Sequence, residues 1–173
     1  MPDKILVTYA SRTGATEGVA RAIGETMAGQ GLQVEVLSMK DVTDPTPYRA
    51  VVAGSAVQGQ KWLPEAIEFL QAHQAVLSGK PCAVFSVCMT LAMKNGEKYR
   101  RAVSEWLKPV RKIVKPVSEG LFAGVLDISK IPSAGNRLKF RLSVLFGVWK
   151  QGDHRNWDAI HSWARELKLV LAG

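Results

Sequence analysis

The sequence predicts an α/β fold, a parallel sheet of five strands covered by helices on both faces. Two observations carry this. Short apolar runs rich in β-branched residues alternate along the chain with segments of helical period. Parallel neighbours then require right-handed helical crossovers, which places helices on both faces of the sheet. A third observation bounds the answer. The 173 residues are 47% apolar and 22% charged, without repeats or low-complexity tracts, which suits one domain of ~100–200 residues.

Lys4-Ile-Leu-Val-Thr-Tyr-Ala10 is the first strand, too short and too β-branched for a helix. From Thr16 the period becomes 3.6, with Ala20, Ile23 and Met27 on one face, and the helix stops at Gly29-Gln-Gly31. Leu32 to Leu37 alternates as a second strand. After Asp44-Pro45-Thr46-Pro47, Arg49 to Gly54 reads as a third strand ended by its glycine. A helix opens at Leu63-Pro64-Glu65 and faces the core through Leu63, Ile67, Leu70 and Leu77. Pro81 to Val87 is the fourth strand. A basic helix is expected from about Gly96 to Val114, weakened near Pro109, then a fifth strand from about Glu119 to Leu126. The last helix, about Asn156 to Leu171, carries the stripe Trp157, Ile160, Ala164, Leu167, Leu171. Residues 127–152 break the alternation, since α/β connections usually run ~2–6 residues. An insertion of that length usually carries function.

The net charge of +8 is unevenly placed. Residues 1–90 hold seven Lys and Arg against eight acids, whereas residues 91–173 hold sixteen against seven. The basic half points to an anionic partner. No helix-turn-helix, zinc or RNA-binding signature accompanies the charge, so nucleic acid is not expected. Met1-Pro2-Asp3-Lys4 leads into no apolar signal segment, and with two cysteines a reducing cytosol is the expected compartment. No run is long enough to cross a bilayer.

Ser11-Arg12-Thr13-Gly14-Ala15-Thr16 lies between the first strand and first helix. Doubly wound sheets bind ligands at the carboxyl ends of their strands, and a helix N-terminus suits a phosphate. Gly14 permits close approach of the main chain, and the Ser11, Thr13 and Thr16 hydroxyls offer further donors. Simple capping by Ser11 and Thr13 is the plainer alternative. Walker A and Gly-x-Gly-x-x-Gly patterns are both absent.

This loop resembles that of the flavodoxin family, Ser/Thr-x-Thr-Gly-x-Thr after the first strand, and the element order matches over nearly the whole chain. The resemblance implies a three-layer sandwich with strand order 2-1-3-4-5 and noncovalent FMN, its 5′-phosphate held by Ser11 to Thr16. Two further loops would enclose the ring system: Ser55 to Trp62, with Ala56, Val57 and Trp62, and Ser86 to Leu91, with Val87, Cys88, Met89 and Thr90. Trp62, Met89 and Leu91 are suitable covers for a flavin ring, although Trp62 could equally pack beneath the next helix. Cys82 and Cys88 have no metal-ligand spacing, and neither metal nor disulfide is expected.

Electron-shuttling flavodoxins are typically acidic. The closer resemblance is to the quinone-dependent protoporphyrinogen IX dehydrogenases of this family, through Leu121-Phe-Ala-Gly124-Val-Leu126, the basic aromatic insertion, Gly152-Asp153 and Asn156-Trp157. It implies a tetrapyrrole substrate, a membrane quinone as acceptor, a cytosolic protein in peripheral contact with the inner face of the cell membrane, and Asp153 near the flavin. Asp153 could instead cap the last helix. Residues 128–150 contain Lys130, Arg137, Lys139, Arg141 and Lys150 and no acid, and Leu138 to Trp149 includes eight large apolar residues. Such a segment suits a headgroup interface or a lid through Arg137, Lys139, Arg141, Leu142 and Trp149. Docking of Leu142, Leu145 and Trp149 on the domain's own core is the alternative. The eight basic residues from Lys94 to Lys115 form a solvated face or an electrostatic contact for propionates or anionic lipid. His73 and His161 read as surface residues, whereas His154 is a candidate for proton transfer. Two other functions stay open: an electron shuttle with a basic docking face, and an FMN-free membrane-associated scaffold.

Overall fold

The computed structural model describes residues 3–172; Met1 and Pro2, part of the opening that argues against a signal segment, lie outside them. In chain order the elements are β1 (Lys4–Ala10), α1 (Ala15–Gly29), β2 (Gln33–Ser38), β3 (Ala50–Gln58), β4 (Lys61–Trp62), α2 (Pro64–Ala72), α3 (Gln74–Leu77), β5 (Cys82–Val87), α4 (Arg100–Glu105), α5 (Lys108–Ile113), β6 (Ser118–Phe122), β7 (Val125–Leu126), α6 (Ala134–Leu145), β8 (Gly152–Asp153) and α7 (Trp157–Val170). The five long strands pair in parallel in the order β2-β1-β3-β5-β6. Counted among themselves they follow the expected second-first-third-fourth-fifth order. Only β4, a two-residue strand antiparallel to the end of β3, shifts the numbering.

Alternation along the strands divides the core in two. Leu6, Val51, Ala53 and Val84 face α2, α3 and α5, while Ile5, Val7, Val52, Ala83 and Phe85 face α1 and α7. Both sheet faces are therefore dry. This is why the central strands read as continuous apolar runs rather than as alternating ones. At the end of α1, Gly31 takes φ +84°, and Gly31 and Leu32 donate their N–H groups to Ala28 and Met27 carbonyls. That closes the helix with a left-handed glycine, as its sequence predicts.

Several elements differ from expectation. β3 does not end at Gly54 but runs four residues further, to Gln58, because this glycine is needed for packing rather than for a turn. It lies opposite Phe85 on β5, and a Cβ built there would stand 2.0 Å from Phe85 Cζ. Gly54→Ala is accordingly expected to overpack the core by about 1–3 kcal/mol, a fall in melting temperature of about 3–10 °C by calorimetry. The true turn is Gly59-Gln60, both at positive φ (55° and 64°), the geometry of a tight two-residue hairpin.

The helix expected over 63–77 is interrupted at His73, and the one expected over 96–114 is two six-residue helices separated at Trp106-Leu107, preceded by a 3₁₀ turn at Gly96–Tyr99. Pro109 sits in the first turn of α5, where its missing N–H costs nothing. The fifth strand stops at Phe122, and Val125–Leu126 turns away to pair antiparallel with Gly152–Asp153. This small ribbon is the stem of an excursion over residues 127–151. On α7, Ile160, Ala164, Leu167 and Leu171 are buried as expected, but Trp157 is exposed. It packs against Arg155 instead of the core.

The excursion is not docked through the residues expected to dock it. No residue of α6 is buried; Leu138, Leu142 and Leu145 are 59%, 46% and 77% exposed, and Phe146 just beyond is 76% exposed. Arg137, Phe140, Ser143 and Val144 are half-buried and occupy the opposite side of the helix. Trp149 is also half-buried, with its ring 6.3 Å from that of Phe140. The apolar stripe of α6 thus points away from the domain, between Lys139 on one flank and Arg141 on the other. Among the described residues no helix is long and apolar enough to cross a membrane.

Candidate functional site

The carboxyl ends of β1, β3 and β5 converge where the strand order reverses, between β1 and β3. The loop leaving β1 turns into α1 through Gly14, which adopts φ +92°. A side chain there would meet no other atom, so the glycine serves the backbone conformation alone. Ser11 Oγ accepts from Gly14 N (3.1 Å) and folds the loop back on itself. The first helical bond is from Gly18 N to Gly14 O at 3.0 Å, and no side chain caps the helix. The amides of Ala15, Thr16 and Glu17 are therefore left without helical acceptors. Three unclaimed N–H donors at the positive end of a 15-residue helix, beside the exposed Thr13 and the buried Thr16, form a cradle for a phosphate monoester. Capping by Ser11 of its own loop, rather than of the helix, leaves that cradle open.

Arg12 does not reach into the cradle. Its guanidinium spans to Glu65 in the first turn of α2, with Nη2 donating to Oε2 at 2.9 Å and Nη1 also paired to the carboxylate. This pair ties the loop to α2, and the guanidinium holds the Glu65 carboxyl below the usual carboxylate range. Tyr9, Ser11, Arg12, Gly14, Lys40 and Glu65 help line a cavity of about 280 Å³ beside the loop.

The second group of residues is built on adjacent strands. Ala56 and Val57 belong to the extension of β3, with Ala56 in register with Val87 of β5. Beyond β5 a 3₁₀ turn, Met89–Ala92, leaves Met89, Thr90 and Leu91 half-buried at the rim. Ser86, Val87 and Cys88 have their side chains in the interior, at 1%, 5% and 3% exposure, so only their backbone is available to a ligand. Trp62 is likewise interior at 4%. Its indole N–H donates to Ser86 Oγ (2.8 Å), so the ring packs beneath the following helix rather than covering the site. Ser55, directly opposite Ser86 in the sheet, accepts from Leu63 N (3.0 Å) at the start of α2. Two buried serines thus anchor the β3–β4 hairpin and the helix after it. Ser55 belonged to a candidate loop only by position; its role needs the cross-strand register to be seen.

Asp153 does not cap α7. Asn156 does, accepting from Ala159 N at 3.0 Å, while Asp153 pairs with Arg155. That pairing holds the Asp153 carboxyl low. His154 donates its backbone N–H to Gly124 O, and its ring contacts Lys150 O. Cys82 and Cys88 are buried thiols, and burial pushes Cys82 up to about 12. The basic run from 94 to 115 is partly consumed locally, Arg100 pairing with Glu97, Lys108 with Glu105 and Arg111 with Glu119.

An uncapped helix at the switch point of a doubly wound parallel sheet is the place where such α/β folds can hold a phosphorylated ligand. A model of the flavodoxin domain family matches residues 6–144, and the chain belongs to that family. Its fold is shared with a flavodoxin from Streptococcus pneumoniae (TM-score 0.59, 18% identity, 96% of this chain and 98% of that one). A flavodoxin from Pseudomonas aeruginosa is similar at TM-score 0.58 and 17% identity, covering 98% and 99%. The rubredoxin:oxygen oxidoreductase of Desulfovibrio gigas matches at TM-score 0.52 and 18% identity, over 99% of this chain but 37% of its own. Among curated proteins, the S-adenosyl-L-methionine-dependent tRNA 4-demethylwyosine synthase of Danio rerio is 28% identical over 122 residues, 60% of this chain. The chain spans 17% of that protein's length.

Proposed function

We propose that this chain is an FMN-dependent oxidoreductase working at a membrane surface, taking electrons from a reduced tetrapyrrole of the protoporphyrinogen IX type and passing them to a membrane quinone. Bound FMN would supply the redox chemistry, accepting electrons in pairs from substrate and releasing them to the acceptor. The chain's own part is to hold and to exclude. The Ala15, Thr16 and Glu17 amides, with Ser11 and Thr13, bind the phosphate. Ala56 and Val57 on one side and Met89 to Leu91 on the other flank the ring, on a hairpin kept still by the Trp62–Ser86 hydrogen bond.

The observation that supports the membrane reading is the outward apolar face of α6, Leu138, Leu142, Leu145 and Phe146, flanked by Lys139 and Arg141. Contiguous exposed apolar surface marks a membrane or protein contact, and the basic residues on both flanks of this stripe favour an anionic headgroup interface. Lys94, Lys98, Arg101, Lys112 and Lys115 have no carboxylate partner among the described residues and suit a substrate bearing propionates.

Adding FMN to the purified protein is expected to give flavin absorbance that stays with the protein through gel filtration, and the loaded protein is expected to oxidise protoporphyrinogen IX with a soluble quinone analogue. Loading without turnover would make the chain an electron shuttle. A protein that remains colourless would remove both redox readings and favour a scaffold.

A further inference from the structure

Arg155 is the cation of the basic half that lies against the phosphate loop, and it does so without facing the cradle. Its side chain is 16% exposed. Nε and Nη2 grip the Asp153 carboxylate, at 2.9 Å to Oδ1 and 2.6 Å to Oδ2, while Nη1 donates to Ala15 O at 3.3 Å. The guanidinium carbon stands 4.4 Å from the centre of the Trp157 ring. It occupies the space over Gly18, where a Cβ would lie 2.4 Å from Nη1. The return of the excursion and the start of α7 are thereby clasped onto the first turn of α1, the turn whose amides form the cradle.

A cation at a helix N-terminus opposes the helix dipole. Bidentate pairing with Asp153 offsets that, and it also removes most of the field the guanidinium could offer a phosphate. What remains is geometric. Ala15 O and Gly18, the two points Arg155 touches, bracket the amides of Thr16 and Glu17.

We infer that Arg155 is a positioning residue for phosphate recognition. By fixing the first turn of α1 it sets the preference for a flavin carrying a 5′-phosphate over the same flavin without one. The inference rests on the reading of the loop as an FMN phosphate site and extends it to a residue some 140 positions away in sequence.

The test compares FMN with riboflavin, by quenching of flavin fluorescence, in the full chain and two variants. Arg155→Met removes the clasp. Gly18→Ala displaces the guanidinium while replacing a helical glycine by a better helix former, so its fold is not at risk. Both are expected to weaken FMN roughly tenfold, the loss of alignment to about one charge-assisted hydrogen bond, and to change riboflavin less than about twofold. The FMN-to-riboflavin preference therefore falls. Parallel weakening of both flavins, or no change in either, would overturn the inference, because loosened structure alone carries no selectivity. Wild-type protein that binds neither flavin would overturn the phosphate-site reading on which it depends. Wild-type preference for FMN retained in both variants would overturn the clasp alone.

Discussion

Gly14→Val is expected to weaken FMN binding by at least about 100-fold while leaving the domain folded. The residue sits at φ +92° with open space around its missing side chain, so no steric collision follows from the substitution. The effect is on the backbone, since a β-branched residue in left-handed geometry is a genuine outlier and costs on the order of 1–3 kcal/mol. The loop relieves this by swinging toward negative φ. That swing breaks the Ser11 Oγ to Gly14 N contact and redirects the amides of Ala15 and Thr16. Hydrogen bonds to a charged group contribute about 1.5–3 kcal/mol each, so misdirecting two amounts to roughly 100-fold or more in affinity. Riboflavin, which has no phosphate, should be far less affected. Because the loop is solvent-exposed and can relax, the melting temperature should fall by no more than the roughly 2–10 °C that about 1–3 kcal/mol of strain corresponds to. An unchanged FMN affinity would show that the phosphate lies elsewhere.

The second large effect concerns membranes. Replacing Leu142 and Leu145 together by Glu is expected to lower co-sedimentation with vesicles of mixed anionic and zwitterionic lipid by more than about tenfold. On the proposed membrane reading each leucine would bury apolar surface in the interface, with full burial worth ~1.5–3 kcal/mol, and each new carboxylate would be repelled by the leaflet. Both residues are exposed, at 46% and 77%, so thermal stability should be essentially unchanged. Trp149 is a poor choice for this experiment, since its ring is half-buried beside Phe140 and its loss would disturb the excursion itself. Wild-type binding should fall as salt rises, following the ~1 kcal/mol that each basic residue contributes near an anionic surface. Vesicle binding indifferent to the double substitution would reject α6 as the contact.

The turn from β1 into α1 was legible because its signal is local: a glycine, three hydroxyls and a change of hydrophobic period all fall within a few residues. The strands were legible for a related reason, their burial on both faces writing itself as unbroken apolar runs. What escaped was set by contacts distant in sequence. Gly54 looks like a strand terminator until Phe85 is placed opposite it. Trp157 matches the core stripe of α7 by spacing, yet Arg155 offers its ring a platform contact instead. Trp62 had two equal readings, and the hydroxyl of Ser86 decides between them, 24 positions away. The division of Glu119 to Leu126 into two strands depends on Gly152–Asp153, which the excursion brings back after about 25 residues.

The β7–β8 ribbon also bears on the length of the excursion it closes. Val125 and Leu126 lie in register with Asp153 and Gly152, so the polypeptide leaves the body and re-enters it at neighbouring points. The residues in between contribute no strand to the main sheet. The entropic difference between a short and a long closure at that spot is small, roughly 0.6 kcal/mol for each doubling of length. Residues 127–151 can therefore change in length at little entropic cost to the parallel sheet.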